Sequence, residues 1–342
     1  MTRDPQLVTV TNTAYNVARV SKGLTDVPGI KVGHCTLTER PTGCTVVITE
    51  AGAVAGFDQR GAAPATRETD LLDPTSTVQY VHAIVLTGGS AFGLDAASGV
   101  TKYLEERGVG FDTRIAKIPI VPAASLYDLA VGGKPHVRPD AECGYRAAVA
   151  ASDGPVAEGN VGAGAGATVG KSGAGPMKAG IGTASITTSE GLIVAALVAV
   201  NAVGDIIDPA TGQVVAGVRT EDGGALADAR KLLRAGRQPY ARPGQSTTIG
   251  VVATNAALTK PQATRMAQMA YDGYARAISP HTIFDGDTIF ALATDRHSGP
   301  ADVSTIGALA AEMMADAIVR AARQATGIPG YPAARDLQHV LE

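Results

Sequence analysis

Residues 244–255 read Gly-Gln-Ser-Thr-Thr-Ile-Gly-Val-Val-Ala-Thr-Asn. Three hydroxyl residues, Ser246, Thr247 and Thr248, open a short apolar run with the β-branched content of a strand. Ahead of them lies RAGRQPYARPGQ (234–245), whose Gly and Pro punctuation reads as a loop. Two readings compete. In one, the hydroxyls merely cap a strand edge. In the other, cleavage of the chain at this point turns a threonine into an N-terminus. A threonine hydroxyl is a weak nucleophile without a base beside it, and a terminal threonine carries its own base in its α-amine, whose ordinary pKa is about 7.7–8.0.

Outward from this stretch the pattern alternates between strands and helices. GIKVGHCTL (29–37) and GCTVVITE (43–50) read as strands joined by a turn around Pro41–Gly43, and HAIVLTGG (82–89) as a buried strand. SAFGLDAASGVTKYLEERG (90–108) has helical periodicity and a glycine C-cap at Gly108. IPIVPAASLYDL (118–129) reads as an extended run, ECGYRAAVAAS (142–152) as a short helix, and GLIVAALVAVNAVGDIID (191–208) as two strands meeting near Asn201–Gly204. TEDGGALADARKLLRAG (220–236) reads as a helix with a charged face. After the hydroxyl cluster come a strand, STTIGVVATN (246–255), a helix, TKPQATRMAQMAYDGYARAI (259–278), and a strand, DTIFALATD (287–295). A long amphipathic helix, STIGALAAEMMADAIVRAARQATG (304–327), ends the series. Thr259 fits its helix's N-cap and Gly327 a C-cap. Such an order suggests layered sheets with helices outside. Residues 1–22 are polar and read as a loose arm.

Bulk composition narrows the function. The chain has 342 residues, 45% of them hydrophobic, with a net charge of only −3. No basic stripe calls for nucleic acid and no charge bias calls for an anionic membrane. Cys35, Cys44 and Cys143 form no CxxC pair, and the six histidines show no metal-ligand spacing, so neither a disulfide framework nor a metal is expected. The N-terminal segment lacks an apolar h-region, and the longest apolar run, LIVAALVAVNAVG (192–204), is too short to span a bilayer. A soluble, cytoplasmic protein without a cofactor is the expectation.

Several segments in fixed order resemble the DmpA-like family of self-processing aminopeptidases and amidases, which includes β-aminopeptidases and endo-type nylon-oligomer hydrolases. They are GLTDVPGIKVGH (23–34), GAAPATRETDLLDP (61–74), HAIVLTGGSAFGLDAASGV (82–100), SLYDL (125–129), VGAGAGATVGK (161–171), VAVNAVGDIID (198–208), STTIGVVATNAALT (246–259) and FDGDTIFALATD (284–295). The resemblance implies a four-layer α/β/β/α sandwich, shared with the ornithine acetyltransferase type. It also implies one hydrolase domain over 1–342, self-cleaved into 1–246 and 247–342. The family's cleaved bond lies eight residues before the Asn or Asp ending the strand. Here that residue is Asn255, which places the bond at Ser246–Thr247. Ser246 departs from the family's usual Asn or Gly and is a rival nucleophile.

The resemblance also assigns the remaining site residues. Lys171 closes a Gly-rich run that invites a phosphate-loop reading, but GxxxxGK[ST] needs glycine at 165 and the chain has Ala165. The family places the Lys171 ammonium beside the Thr247 hydroxyl. Asn201, an amide inside an apolar run, either braces backbone or, as the family implies, donates to an oxyanion. Asp285 and Asp287, read alone, form a turn or an acid pair able to hold an ammonium. In the family Asp287 lies nearest the nucleophile's amine, with Asp285 beside it, where some β-aminopeptidases carry Ser and Glu. Tyr127 matches a pocket-lining position whose hydroxyl suits an oxyanion. LTGGSAFG (86–93) lacks GxGxxG spacing and reads as a strand–helix turn beside the pocket, not a nucleotide site.

The leading expectation is therefore an N-terminal-threonine hydrolase acting on small peptides, amides or oligoamides. A self-cleaving acyltransferase with an amine acceptor is one alternative, and an uncleaved binding or scaffold protein is the other. A closed homo-oligomer is expected, a dihedral tetramer ahead of an octamer, because the Ala/Met/Ile stripe of 304–327 offers an apolar face. The same stripe would equally pack on the protein's own sheet.

Overall fold

The computed structural model describes residues 23–237, 245–300 and 302–338. The polar arm at 1–22 and most of the loop ahead of Ser246 lie outside those residues. Nine strands are hydrogen-bonded in series: β1 (Lys31–Leu37), β2 (Thr42–Gln59), β3 (Thr66–Arg67), β4 (Tyr80–Thr87), β5 (Ala123–Ser125), β6 (Ile181–Thr187), β7 (Ile193–Ala199), β8 (Ile249–Thr254) and β9 (Thr288–Ala293). Their order is β6-β7-β8-β9-β2-β4-β5-β3, with β1 on β2. Five helices matter here: α1 (Ala96–Glu105), α2 (Ala141–Val149), α3 (Ala229–Arg234), α4 (Lys260–Ala277) and α5 (Val303–Gln324).

The strand β2 divides the structure into layers. Its 18 residues are too many for one flat pairing, and its register against β4 slips between Ile48 and Ala53. Its first half pairs with β1 and β4, and its second half with β9. Alternation along the strand then sends side chains to three separate cores. Val46 and Ile48 join α1 and α2, with Val85, Val100, Leu104 and Ala147. Val47, Ala53 and Ala55 lie in a core between the two halves of the sheet, where Ile84, Leu86 and Leu126 share one cluster with Leu197, Val251 and Phe290. Val54 packs against a third core, in which Val198, Val252 and Ile289 meet Met266, Tyr274, Met313 and Ile318 of α4 and α5. The layers therefore run helix, sheet, sheet, helix. Each fully buried Val, Leu or Ile contributes about 1.5–3 kcal/mol relative to exposure.

All pairings in the long sheet are antiparallel except β4–β5 and β8–β9. The parallel pair positions the site. Ile249 sits opposite Thr288, so the mouths of β8 and β9 open side by side and 246–248 runs beside 285–287.

Most elements lie where the sequence pattern places them, with three corrections. Only Ala229–Arg234 of the stretch 220–236 is helical; Gly223 and Gly224 keep the first half in turns. The helix α5 ends at Gln324 with Ala325 extended, three residues short of the sequence expectation, so Gly327 is not its cap. The α5 stripe is covered by the protein itself: Ile306, Ala310, Met313, Met314 and Ile318 are buried in the α4/α5 core. It is therefore not the oligomer face that its apolarity suggested. At α4 the sequence signal holds, with the Thr259 N–H donating to Gln262 Oε1 at 2.9 Å and Pro261 in the first turn.

Candidate active site

The bond between Ser246 and Thr247 is buried and held on several sides. Thr247 is 3% exposed, and Ser246 and Thr248 are fully buried. The Thr247 hydroxyl donates to the Ser246 carbonyl oxygen at 2.5 Å, which places it against the peptide group it would attack. The same carbonyl accepts the Gly286 N–H at 3.0 Å. The Thr247 N–H donates to the Asn201 carbonyl at 3.0 Å. Among the described residues the hydroxyls of Ser246 and Thr248 have no partner, so of the three hydroxyls only that of Thr247 is held on the Ser246 carbonyl.

Asn201 and Lys171 form the wall beside this bond. Asn201 is completely buried, and a buried amide must be paired. Its Oδ1 accepts from Lys171 Nζ at 2.9 Å and from the Thr168 N–H at 3.1 Å, and its Nδ2 donates to the Tyr127 carbonyl at 2.9 Å. Lys171 Nζ also donates to Asn201 O at 3.2 Å and to Gln245 O at 2.6 Å. The lysine thus grips the segment immediately before the Ser246–Thr247 bond. Burial lowers its pKa to about 7, against the opposing pull of Asp285, Asp128 and Asp287. Asn201 is a brace in this arrangement, tied to Lys171 and Thr168 by its oxygen and to Tyr127 by its nitrogen.

Tyr127 reaches the site through its backbone. Its carbonyl holds Asn201 Nδ2, a different contact from the hydroxyl role that the sequence suggested. The neighbouring Asp128 is itself held on several sides. Asp128 Oδ1 accepts from Arg40 Nη2 at 2.8 Å and from the Gly89 N–H at 2.9 Å, and Oδ2 accepts from the Thr42 hydroxyl at 2.6 Å. This buried ion pair explains LTGGSAFG without a nucleotide. A Cβ at Gly88 would lie 2.2 Å from Asp128 Oδ2, so the backbone can approach the carboxylate only as glycine.

Asp285 and Asp287 close the opposite side. Asp285 bridges Ser246 in parallel, and its Oδ2 accepts from the Thr282 N–H and hydroxyl, both at 2.8 Å. Its Oδ1 is buried without a partner among the described residues. Burial and the charge of Asp287 raise its pKa, partly offset by the Thr282 bonds. Asp287 Oδ1 accepts the Thr248 N–H at 2.6 Å, and its Oδ2 lies 3.0 Å from His281 Nδ1. Residues 60–63 cover this pair from outside: the N–H groups of Arg60 and Gly61 donate to the Asp287 carbonyl and that of Ala63 to the Asp285 carbonyl.

All six expected residues therefore line one place, Tyr127 by its carbonyl. Asp128, Thr168, His281 and Thr282 belong to it as well and were not singled out. Only His281 carried a visible signal, as a histidine six residues before Asp287.

Residues 22–335 match Peptidase family S58. The chain belongs to peptidase family S58. It is 42% identical over 348 residues to an uncharacterized aminopeptidase of Mycobacterium tuberculosis, covering 92% of this chain and 97% of that one. It is 31% identical over 321 residues to a 6-aminohexanoate-oligomer endohydrolase of Kocuria sp., covering 87% and 85%. Its fold is similar to that of the l-aminopeptidase D-Ala-esterase/amidase of Ochrobactrum anthropi, described as a variant of the Ntn hydrolase fold, with a TM-score of 0.68, 20% identity and 95% of each chain covered. The S58 chain is thus a hydrolase of the aminopeptidase and amidase kind, as the resemblance in its sequence implied. Family membership sets aside the scaffold alternative, and these relatives favour hydrolysis over acyl transfer.

Proposed function

We propose that this S58 hydrolase cleaves its own chain at Ser246–Thr247 and then uses Thr247 as the nucleophile on small peptides, amides or oligoamides. The observation that carries the reading is the Thr247 hydroxyl 2.5 Å from the Ser246 carbonyl oxygen, with the Gly286 N–H on the same oxygen. Attack of Thr247 Oγ1 on the Ser246 carbonyl carbon forms a C–O bond. The negative charge gathers on the oxygen that Gly286 already binds. Collapse breaks the Ser246–Thr247 C–N bond, and the hydroxyl proton ends on the departing nitrogen. Water then hydrolyses the ester, leaving a Ser246 carboxylate and a free Thr247 amine.

In turnover the neutral amine takes the hydroxyl proton as Thr247 attacks a substrate carbonyl, and returns it to the leaving amine. Asp285, whose Oδ1 lacks a partner, and Asp287 orient that amine. Asn201 offers its second N–H to the oxyanion, and Lys171, held by Asn201 and the Gln245 carbonyl beside this bond, supplies positive charge there when protonated. Peptides and oligoamides are the substrates suggested by the relatives' names.

Processed protomers are proposed to assemble as a closed homo-oligomer, a tetramer first, in the cytoplasm. Apolar Phe111, Ile115 and Ile118, exposed together on one hairpin, support association, and three free buried cysteines fit a reducing compartment. Among the described residues no helix is long and apolar enough to cross a membrane. Light scattering of the processed protein checks the assembly: a micromolar monomer contradicts it.

Two variants test the central reading. Thr247→Ala removes the hydroxyl and should leave one full-length chain with no hydrolysis of aminoacyl or 6-aminohexanoyl anilides. Thr247→Ser keeps a hydroxyl and should still cleave. Cleavage in Thr247→Ala at the wild-type bond would overturn the assignment.

A further inference from the structure

His281 is a histidine of the site for which the reaction above has no use. It stands on the segment between α4 and β9, with 31% of its side chain exposed, whereas the Asp287 side chain is 4% exposed. Its Nδ1 lies 3.0 Å from Asp287 Oδ2. The carboxylate can only accept, so Nδ1 carries the proton and the outer nitrogen is fixed as the site where a second proton is gained or lost. The imidazole lies parallel to the Tyr274 ring, 3° between planes and 6.0 Å between centroids. Tyr274 in turn donates its hydroxyl to the Thr248 carbonyl at 3.3 Å. Tyr271, the next aromatic on the same face of α4, donates to the Asp287 carbonyl at 2.6 Å. The Asp287 carboxylate is thereby fixed from both ends: Thr248 N–H on one oxygen, His281 on the other.

We propose that His281 is a positioning residue for the reaction: its Nδ1–H holds one oxygen of Asp287 so that the other meets the backbone beside Thr247. This rests on the proposed cleavage at Ser246–Thr247, with Asp287 placing that bond by holding the Thr248 N–H just past it. Without His281, the carboxylate would keep a single tether, the Thr248 N–H, and would be free to rotate about it. Misplacement of a catalytic group by an ångström costs on the order of 10²-fold in rate. The groups facing His281 are Asp285 and Asp287 from the loop before β9 and, from α4, the backbone carbonyl and stacked ring of Tyr274; Lys171 faces the two aspartates from the opposite wall. Burial lowers the histidine's pKa, but the Asp287 contact and the two carboxylate charges outweigh it, so the net shift is upward. His281 therefore joins solvent to a sealed carboxylate and carries positive charge over more of the neutral range than an ordinary histidine.

The test uses self-cleavage, which needs no substrate. Full-length chain is made by cell-free synthesis and chased at pH 5.5–9, with the two products followed by mass. The comparison is wild type, His281→Ala, His281→Asn and Asp287→Asn. His281→Ala should slow cleavage by about 10- to 100-fold. His281→Asn keeps an N–H donor near Nδ1 and should recover most of the rate across the pH range, because the tether needs the N–H and not the charge of the ring. A thermal melt of each variant separates lost positioning from lost folding, and His281→Asn carries the comparison if His281→Ala does not fold. Wild-type rate and pH profile in both histidine variants, with Asp287→Asn blocked, would overturn the His281 assignment alone. Normal cleavage in Asp287→Asn, or none in wild type, would overturn the reading beneath it.

Discussion

At the scale of single residues the site is a set of buried polar groups that pair with one another. Asn201 shows how this is done. Its side chain and carbonyl together engage Lys171, Thr168, Tyr127 and Thr247, so one amide sets the distance between the cation and the nucleophile. Lys171→Ala should slow self-cleavage by on the order of 10²-fold, the usual cost of removing a preorganised charge. A cleavage time course by gel checks it, and an unchanged rate would mean that the lysine only caps carbonyls. Tyr127→Phe, in contrast, should cleave at close to the wild-type rate, because the tyrosine works through its carbonyl. A loss on the order of 10²-fold would restore its hydroxyl as an oxyanion donor. Asp128→Ala should destabilise the fold by about 3–5 kcal/mol, since it strands Arg40, 1% exposed, without its partner. Urea unfolding measures that loss.

At the scale of elements, what was legible in the sequence was whatever local chemistry fixes. The capped start of α4, the β-branched apolar run of β8 and the apolar run of β7 are set by neighbours in the chain, and they appear as expected. The span of β2 was not legible. Its second half is EAGAVAGFDQ (50–59), where glycines and exposed positions hide a strand that only its partner β9 makes continuous. The six site residues were found by resemblance, because no spacing rule joins Lys171, Asn201 and Asp287. The antiparallel β7–β8 and parallel β8–β9 pairings bring Asn201 and Asp287 to the mouth of β8, and Lys171 joins them through Asn201; such pairing is a long-range fact. Tyr127's carbonyl and Asp128's ion pair were missed for the same reason. Close packing of strand on helix gives a prediction here. A Cβ at Gly182 in β6 would lie 2.0 Å from the Ala317 carbonyl of α5. Gly182→Ala should therefore cost about 1–3 kcal/mol through overpacking, read as a lower urea midpoint, with self-cleavage retained. An unchanged midpoint would mean that α5 is free to move outward.

At the scale of the whole molecule, buried cations shape stability against pH. Lys178 is fully buried and donates to the carbonyls of Gly164 and Ala167, in the Gly-rich run that carries Thr168 and Lys171, and to that of Ala179. Burial lowers its pKa to about 7, below the ordinary lysine value of 10.5. Between those values the unfolded chain holds the proton and the folded chain does not. The contribution of Lys178 to unfolding free energy therefore rises with pH across that window and is absent below it. Lys178→Met should flatten the rise, measured by urea titrations at pH 7, 8.5 and 10. A rise as steep as in wild type would show that the lysine stays charged in the fold.

The central claim is that this chain cuts itself between Ser246 and Thr247 and works through the threonine so exposed. The most direct measurement is the intact mass of the purified wild-type protein, with N-terminal sequencing of the smaller piece. The account predicts two chains that co-purify, residues 1–246 and 247–342, the smaller beginning Thr-Thr-Ile-Gly. A single chain of 34.6 kDa after prolonged incubation would contradict it, as would a smaller piece starting at Ser246 or Thr248.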